Sequence, residues 1–165
     1  MNQNELLNLL EKENISFELT EHPAAFSMNE IRDYELPHPE ADAKNLFLRD
    51  DKKRNYYLIT VRGNKRADLK AFRQKHGLRP LSFANEEALK ELLDLKPGSV
   101  TPFGLLNDSS HKVHFFYDQD FLNDDLIACH PMINTATVTL KMSDLIRLLE
   151  SRNIPSEAVI IDETV

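Results

Sequence analysis

A strand-opening lysine, a glycine loop, a cysteine–histidine pair and two spaced histidines are the residues of this 165-residue chain whose types and spacing bear on chemistry. His111 and His114, with Asp108 and Asp118 nearby, carry the donor types of a metal site. On an extended segment, residues three apart point to opposite faces, so this set surrounds an ion only if the chain turns sharply at Lys112. The spacing favours exposed hairpin residues. Cys129 beside His130 has the composition of a thiol–imidazole pair. Neighbours on a strand diverge, however, and Cys129 shares its face with Ile127, which makes it a packing residue. The segment Gly98-Ser99-Val100-Thr101-Pro102 reads two ways. It is a helix stop followed by an ordinary turn, or a loop in which glycine lets backbone N–H groups converge and lets a substrate approach the main chain. In the second form Pro102 stiffens the exit and the N–H groups could stabilise an oxyanion. The chain contains no G-x-S-x-G elbow, P-loop, G-x-G-x-x-G or H-E-x-x-H.

The elements that must position these groups follow from periodicity. Residues 2–13 carry Leu6, Leu7, Leu9 and Leu10 among polar positions, the pattern of an amphipathic helix. Residues 16–20 alternate as a strand, and His22-Pro23 is extended because proline disfavours helix before it. Ser27 caps a short helix to Tyr34, and Pro37 and Pro39 make a loop. Residues 45–49 and 56–61 form a hairpin around the charged turn 50–54. Asp68 opens a helix ending near Gly77, residues 81–84 form a short strand, and Asn85 caps a helix that Pro97-Gly98 stops. Strands follow at 113–117, 126–129 and 135–140, then a helix at 143–152 and a last strand at 158–161. No regular βαβ rhythm emerges. The class is α+β, a largely antiparallel mixed sheet surrounded by helices.

Composition is that of an ordinary globular protein, 41% hydrophobic and 28% charged. The length suits one domain spanning residues 1–165. The N-terminus is polar and acidic, without the basic start and apolar stretch of a signal peptide, and Cys129 is the single cysteine; both predict a cytoplasmic protein. The net charge is −7, yet Arg49–Arg79 holds eleven Lys/Arg against three acids, a local +8 that leaves −15 on the rest. Such a band is either a set of solvated faces or a strip that meets a phosphate backbone while the acidic body repels it.

Three segments give these features a context: Lys44-Asn45-Leu46-Phe47-Leu48-Arg49-Asp50, Gly98-Ser99-Val100-Thr101-Pro102-Phe103-Gly104, and His130-Pro131-Met132-Ile133-Asn134-Thr135-Ala136-Thr137. In this order and spacing they resemble the bacterial free-standing prolyl-tRNA editing proteins of the YbaK superfamily, which also includes the editing insertion of bacterial prolyl-tRNA synthetases. Glu21-His22-Pro23 and Leu81-Ser82-Phe83-Ala84 fit the same family, so the resemblance runs from near the N-terminus to about Ile161. Each segment alone is weak. The ordered set is specific, and Lys44-Asn-Leu-Phe-Leu is its most diagnostic piece.

The resemblance implies a YbaK-like fold and hydrolysis of the ester between a mischarged amino acid and the terminal adenosine of tRNA. For this branch it implies alanine on tRNA(Pro), with no metal or organic cofactor, and with prolyl-tRNA synthetase as a further candidate partner. Binding alone explains the need: excluding a smaller apolar amino acid from a proline pocket is worth only about 1–3 kcal/mol, so a second site corrects the error. Lys44 is implied as the residue required for activity, its ammonium holding the terminal phosphate; its plain alternative is a solvated lysine. Gly98 opens the oxyanion loop, with Ser99, Thr101 and Pro102 lining it. His130 positions the substrate or acts as a base, or else simply bonds a backbone carbonyl. Asn45, Asn134 and Thr137 form a polar rim, or make local bonds. Met28, Ile31 and Phe47 are candidates for an apolar sieve, or plain core. Lys52, Lys53, Arg54, Lys65 and Arg66 would contact tRNA phosphates. Met132 stands where relatives often have another residue, so serine, cysteine or a non-protein amino acid stay open as substrates. A catalytically silent tRNA- or ligand-binding regulatory module is the alternative of a different class.

Overall fold

The computed structural model describes residues 1–24, 38–63 and 65–164, with Asp124 described by its backbone alone. The helix expected from Ser27 to Tyr34, and with it Met28 and Ile31, lies outside the described residues. Helix α1, Gln3–Lys12, starts at a capping box: Asn2 Oδ1 accepts from Glu5 N–H at 2.9 Å, and Glu5 accepts from Asn2 N–H at 3.2 Å. Leu6, Leu9 and Leu10 form its buried stripe.

The strands divide into two sheets. β1 (Phe17–Glu21), β6 (Leu126–Cys129) and β7 (Ala136–Lys141) make an antiparallel sheet with β7 in the centre. β2 (Ala43–Asp50), β3 (Tyr56–Arg62), β4 (Leu81–Phe83), β5 (Val113–Asp118) and β8 (Ser156–Val159) make a second sheet in the order β4-β2-β3-β5-β8. The β2–β3 hairpin is the expected one, in a register that sets Lys44 opposite Val61 and Asn45 opposite Thr60. The pairs β3–β5 and β5–β8 are parallel, which the long crossovers between them allow. Helices α2 (Leu69–Lys75) and α3 (Glu86–Leu93) lie in the first crossover; α4 (Phe121–Asp124) and α5 (Met142–Ser151) lie in the second.

The larger core fills the space between the sheets with Phe47, Leu58, Phe103, Ile127, Cys129, Val138 and Leu140, closed by α1, α3 and α5. The smaller core, with Leu46, Leu48, Ile59, Val61 and Phe72, lies on the other face of the five-stranded sheet. Alternation along β2 therefore sends Asn45 and Phe47 towards the larger core and Lys44 and Leu46 the other way.

The mixed, mostly antiparallel α+β class expected from the sequence is the one found, with three corrections. The strands do not share one sheet. Helix α3 ends at Leu93 on a left-handed Asp94, φ 52°, before the Pro97-Gly98 pair expected to stop it. The last strand is Ser156–Val159 instead of 158–161, because its partner β5 ends at Asp118, opposite Val159. No helix among the described residues is long and apolar enough to cross a membrane.

Candidate active site

β2 begins at the site. Asn45 Nδ2 donates to Val100 O at 3.2 Å, and Asn45 Oδ1 accepts from the fully buried Thr60 hydroxyl at 2.7 Å. One side chain thus ties the β2–β3 hairpin to the Gly98–Pro102 loop, 55 residues later. Within that loop Gly98 has φ 84°, a left-handed conformation that glycine adopts without strain. Ser99 N–H donates to Lys96 O at 3.0 Å. The N–H groups of Gly98, Val100 and Thr101 donate to no protein group among the described residues.

The loop then runs into a 3₁₀ helix, Pro102–Asn107, that the sequence reading missed. Thr101 and Pro102 start it, threonine as cap and proline at its first position, which is the signal that could have found it. Thr101 is fully buried and its Oγ1 accepts from Phe103 N–H at 3.4 Å, so it builds the loop and does not offer a hydroxyl to water. Ser99 and Pro102 are buried as well. Gly104 is packed so closely that a Cβ there would lie 2.6 Å from Leu95 Cδ1 and 3.3 Å from Leu93 Cβ. That close approach holds the 3₁₀ helix against the end of α3.

Lys44 leaves the opposite face of β2. Its ammonium donates to Lys65 O at 2.6 Å, and burial first, then the Arg66 charge, lower its pKa from the ordinary lysine range. The carbonyl it meets sits on a fixed corner. Lys65 Nζ bridges Asp118 at 2.7 Å and Asp120 at 2.5 Å, and Asp118 also accepts from Arg62 N–H at 3.1 Å. Burial alone would lower the Lys65 pKa; the bonds and charges of both carboxylates outweigh it and raise it. Lys65, expected among the tRNA-facing cations, is held by two carboxylates. Lys52, Lys53, Arg54 and Arg66 are exposed.

A second group forms on the three-stranded sheet. His130 follows β6, and its Nδ1 lies 3.1 Å from Ala136 O. A carbonyl only accepts, so Nδ1 carries the proton and Nε2 keeps a lone pair. Burial, followed by the nearby His22, lowers the His130 pKa against the raising effect of the Ala136 bond, so the ring is neutral at pH 7. His22, whose ring centroid is 6.3 Å from that of His130, was not among the site residues expected from the sequence. Its Nδ1 bonds Pro23 O at 2.8 Å and its Nε2 meets the buried Thr137 hydroxyl at 2.7 Å. The His22-Pro23 dipeptide was the available signal; its partner 115 residues away was not. A cleft of about 410 Å³ opens beside His22, lined also by Gln3, Glu21, Ile133, Thr135 and Ala136. Asn134 is partly buried next to this group, and Met132 holds a left-handed φ of 72°. β6 packs on the turn Pro39–Ala41 and on β2.

Phe47 is 5% exposed, packs in the larger core and stacks on Tyr56 at 5.9 Å. Cys129 is 1% exposed and burial pushes its thiol far up, as a packing residue requires. No group of His, Cys, Asp and Glu among the described residues is arranged to hold a metal ion.

The aminoacyl-tRNA editing domain family matches residues 22–148, which include Lys44, the Gly98–Pro102 loop and His130. The chain belongs to the aminoacyl-tRNA editing domain family, and by class it is an aminoacyl-tRNA deacylase. It is 34% identical over 150 residues to the prolyl-tRNA editing protein ProX of Acetoanaerobium sticklandii, covering 91% of this chain and 92% of that one. It is also 34% identical over 148 residues to the prolyl-tRNA synthetase associated domain-containing protein 1 of Danio rerio, covering 88% and 80%. A solved structure proposed as a trans-editing enzyme for prolyl tRNA synthetase superposes over 98% of this chain and 97% of that one, with a TM-score of 0.71 at 22% identity. The last likeness concerns the fold.

Proposed function

We propose that this chain hydrolyses the ester of a mischarged tRNA(Pro), with Ala-tRNA(Pro) as its main substrate. The observation that carries the mechanism is the Asn45 bond to Val100 O, which holds a loop whose Gly98, Val100 and Thr101 N–H groups have no protein acceptor among the described residues. An aminoacyl ester is already activated. It needs a placed water, donors where the oxyanion develops, and a held leaving group. The free loop N–H groups take the oxyanion. Lys44, at the end of β2, exchanges its Lys65 carbonyl for the phosphate of the terminal nucleotide. Lys44 and Asn45 leave opposite faces of one strand end, so a chain crossing that end of the sheet meets both.

His130 presents a neutral Nε2 with a lone pair, suited to hold a water or the substrate's ammonium region. We assign it a positioning role, because the adenosine 2′-OH can assist the attack. The polar rim includes Thr137, held by His22, and Asn134. The names of the ProX and prolyl-tRNA synthetase associated relatives support tRNA(Pro) as the carrier. Prolyl-tRNA synthetase is the candidate protein partner. Tests with alanine, serine, cysteine and a non-protein amino acid on tRNA(Pro) decide the amino acid. Fastest release from Ala-tRNA(Pro), with correctly charged Pro-tRNA(Pro) spared, is the expected result. Equal rates on all of them, or release of proline, would reject the alanine assignment.

A further inference from the structure

We propose that the cleft between the β2–β3 turn and the segment leading into β5 is an RNA phosphate site, separate from the reacting ester. It rests on the reading of the chain as a tRNA deacylase and adds a second wall to the basic hairpin. The cleft measures about 460 Å³, and its chemistry-bearing residues are Lys53 and Arg54 on one side and His111, Lys112 and His114 on the other, with Glu91 the single acid among the described residues that line it. The chain carries 27 acids against 20 Lys/Arg, so an almost purely basic cleft is a local exception to an acidic surface. Three cations elsewhere are neutralised in place, Lys75 by Asp162, Arg79 by Asp51 and Lys90 by Asp94. Lys53, Arg54 and Lys112 have no carboxylate within ion-pair distance among the described residues.

Both walls are built. Asp50, 1% exposed, accepts from Arg54 N–H at 2.9 Å and from Asn55 Nδ2 at 2.8 Å, and its carbonyl accepts from Lys53 N–H at 3.1 Å. Asp108, 6% exposed, accepts from Val113 N–H at 2.8 Å, and its carbonyl accepts from His111 N–H at 3.0 Å. Each buried carboxylate fixes one loop. Each loop also holds a non-glycine residue in the left-handed region, Lys53 at φ 55° and His111 at φ 52°. Such a backbone position is disfavoured for any residue but glycine, and here the side chains kept there are a cation and an imidazole. His114 is held by stacking on Tyr57 at 5.4 Å.

The occupant follows from place as well as charge. Six residues of strand separate Lys44 from Asp50, about 20 Å at the usual rise. A nucleotide chain whose terminal phosphate lies at Lys44 spans that distance within a few nucleotides, so the cleft would take a phosphate upstream of the reacting end. Such contacts position the RNA without reading its sequence.

The test measures binding and turnover separately. Fluorescence anisotropy of an uncharged acceptor-stem RNA hairpin with a single-stranded CCA end is followed against salt, for wild type, Lys53→Ala/Lys112→Ala, and the control Lys75→Ala/Lys90→Ala. Two lost phosphate contacts should lower the slope of log Kd against log salt by about 1.4–1.8. KM for charged tRNA should rise about tenfold or more, with hydrolysis of a stem-free aminoacyl-adenosine ester unchanged and the control variant like wild type. Wild-type turnover with an unaltered slope and KM in the cleft variant would overturn the RNA site and leave the deacylase reading standing. Cleft-dependent RNA binding without any ester hydrolysis would uphold the site and remove the deacylase reading. Equal loss of binding to a free mononucleotide would show a nucleotide pocket and overturn the RNA assignment.

Discussion

Asn45→Ala is the perturbation whose size the structure sets most directly. It removes the 3.2 Å bond to Val100 O and the acceptor for the Thr60 hydroxyl at 2.7 Å. Thr60 is fully buried, and its hydroxyl loses the acceptor it has in the wild type. A typical lost bond costs about 0.5–1.5 kcal/mol and an orphaned buried polar group about 1–3 kcal/mol. Together they predict a loss of about 2–4 kcal/mol and a Tm lower by about 5–10 °C for a chain of this size. Thr60→Val removes the hydroxyl at its source, so the double variant should be less destabilised than the sum, by about 1 kcal/mol. Asn45→Asp separates the two bonds. It still accepts from Thr60 but turns an acceptor towards Val100 O, so it should keep more stability than Asn45→Ala while losing comparable deacylation. Urea denaturation of the four members of the cycle, with single-turnover ester hydrolysis of each, reads both effects. Additivity within about 0.3 kcal/mol, or full activity of Asn45→Asp, would refute the claim that Asn45 holds the loop through these bonds.

Gly104→Ala pushes a methyl group against Leu95 and Leu93 and should cost about 1–3 kcal/mol; calorimetry checks it, and a kcat loss beyond the unfolded fraction would show the loop displaced. Asp118→Ala leaves Lys65 and Arg62 N–H without their buried acceptor and should destabilise by about 3 kcal/mol, read by denaturant midpoint. His130 has a folded pKa below the ordinary 6.5, so its contribution to stability is full above that value and is lost as pH falls through the lower folded value. A Tm-against-pH series should therefore fall less steeply below about pH 6.5 in His130→Gln than in wild type. Cys129 should resist a thiol reagent until the protein unfolds, because burial both covers it and disfavours the thiolate; rapid native labelling would contradict its place in the core.

Local patterns carried much of the fold. The leucine stripe of α1, the hairpin expected at 45–49 and 56–61 and the Asn85 cap of α3 appear where periodicity and capping put them, the hairpin strands running slightly longer than expected. The partition into two sheets was hidden, because β6 and β7 are as apolar as the strands of the other sheet and apolar composition does not name a partner. At the site, the loop and its glycine were legible from residue type. The roles of Lys65, Thr101 and His22 were not, since each depends on a partner or a cap geometry that spacing does not encode. Lys65 meets Asp118 across 53 residues and His22 meets Thr137 across 115. Phe47 shows the converse: an apolar residue inside a diagnostic segment is core because its strand face is.

The most direct test of the deacylase assignment is release of labelled alanine from Ala-tRNA(Pro) by wild type and Lys44→Ala, each with and without a chelator. Rapid release by wild type, lost in Lys44→Ala at nearly unchanged Tm and untouched by the chelator, is the predicted result. No release by wild type from alanine-charged tRNA, or full activity of Lys44→Ala, would contradict the account.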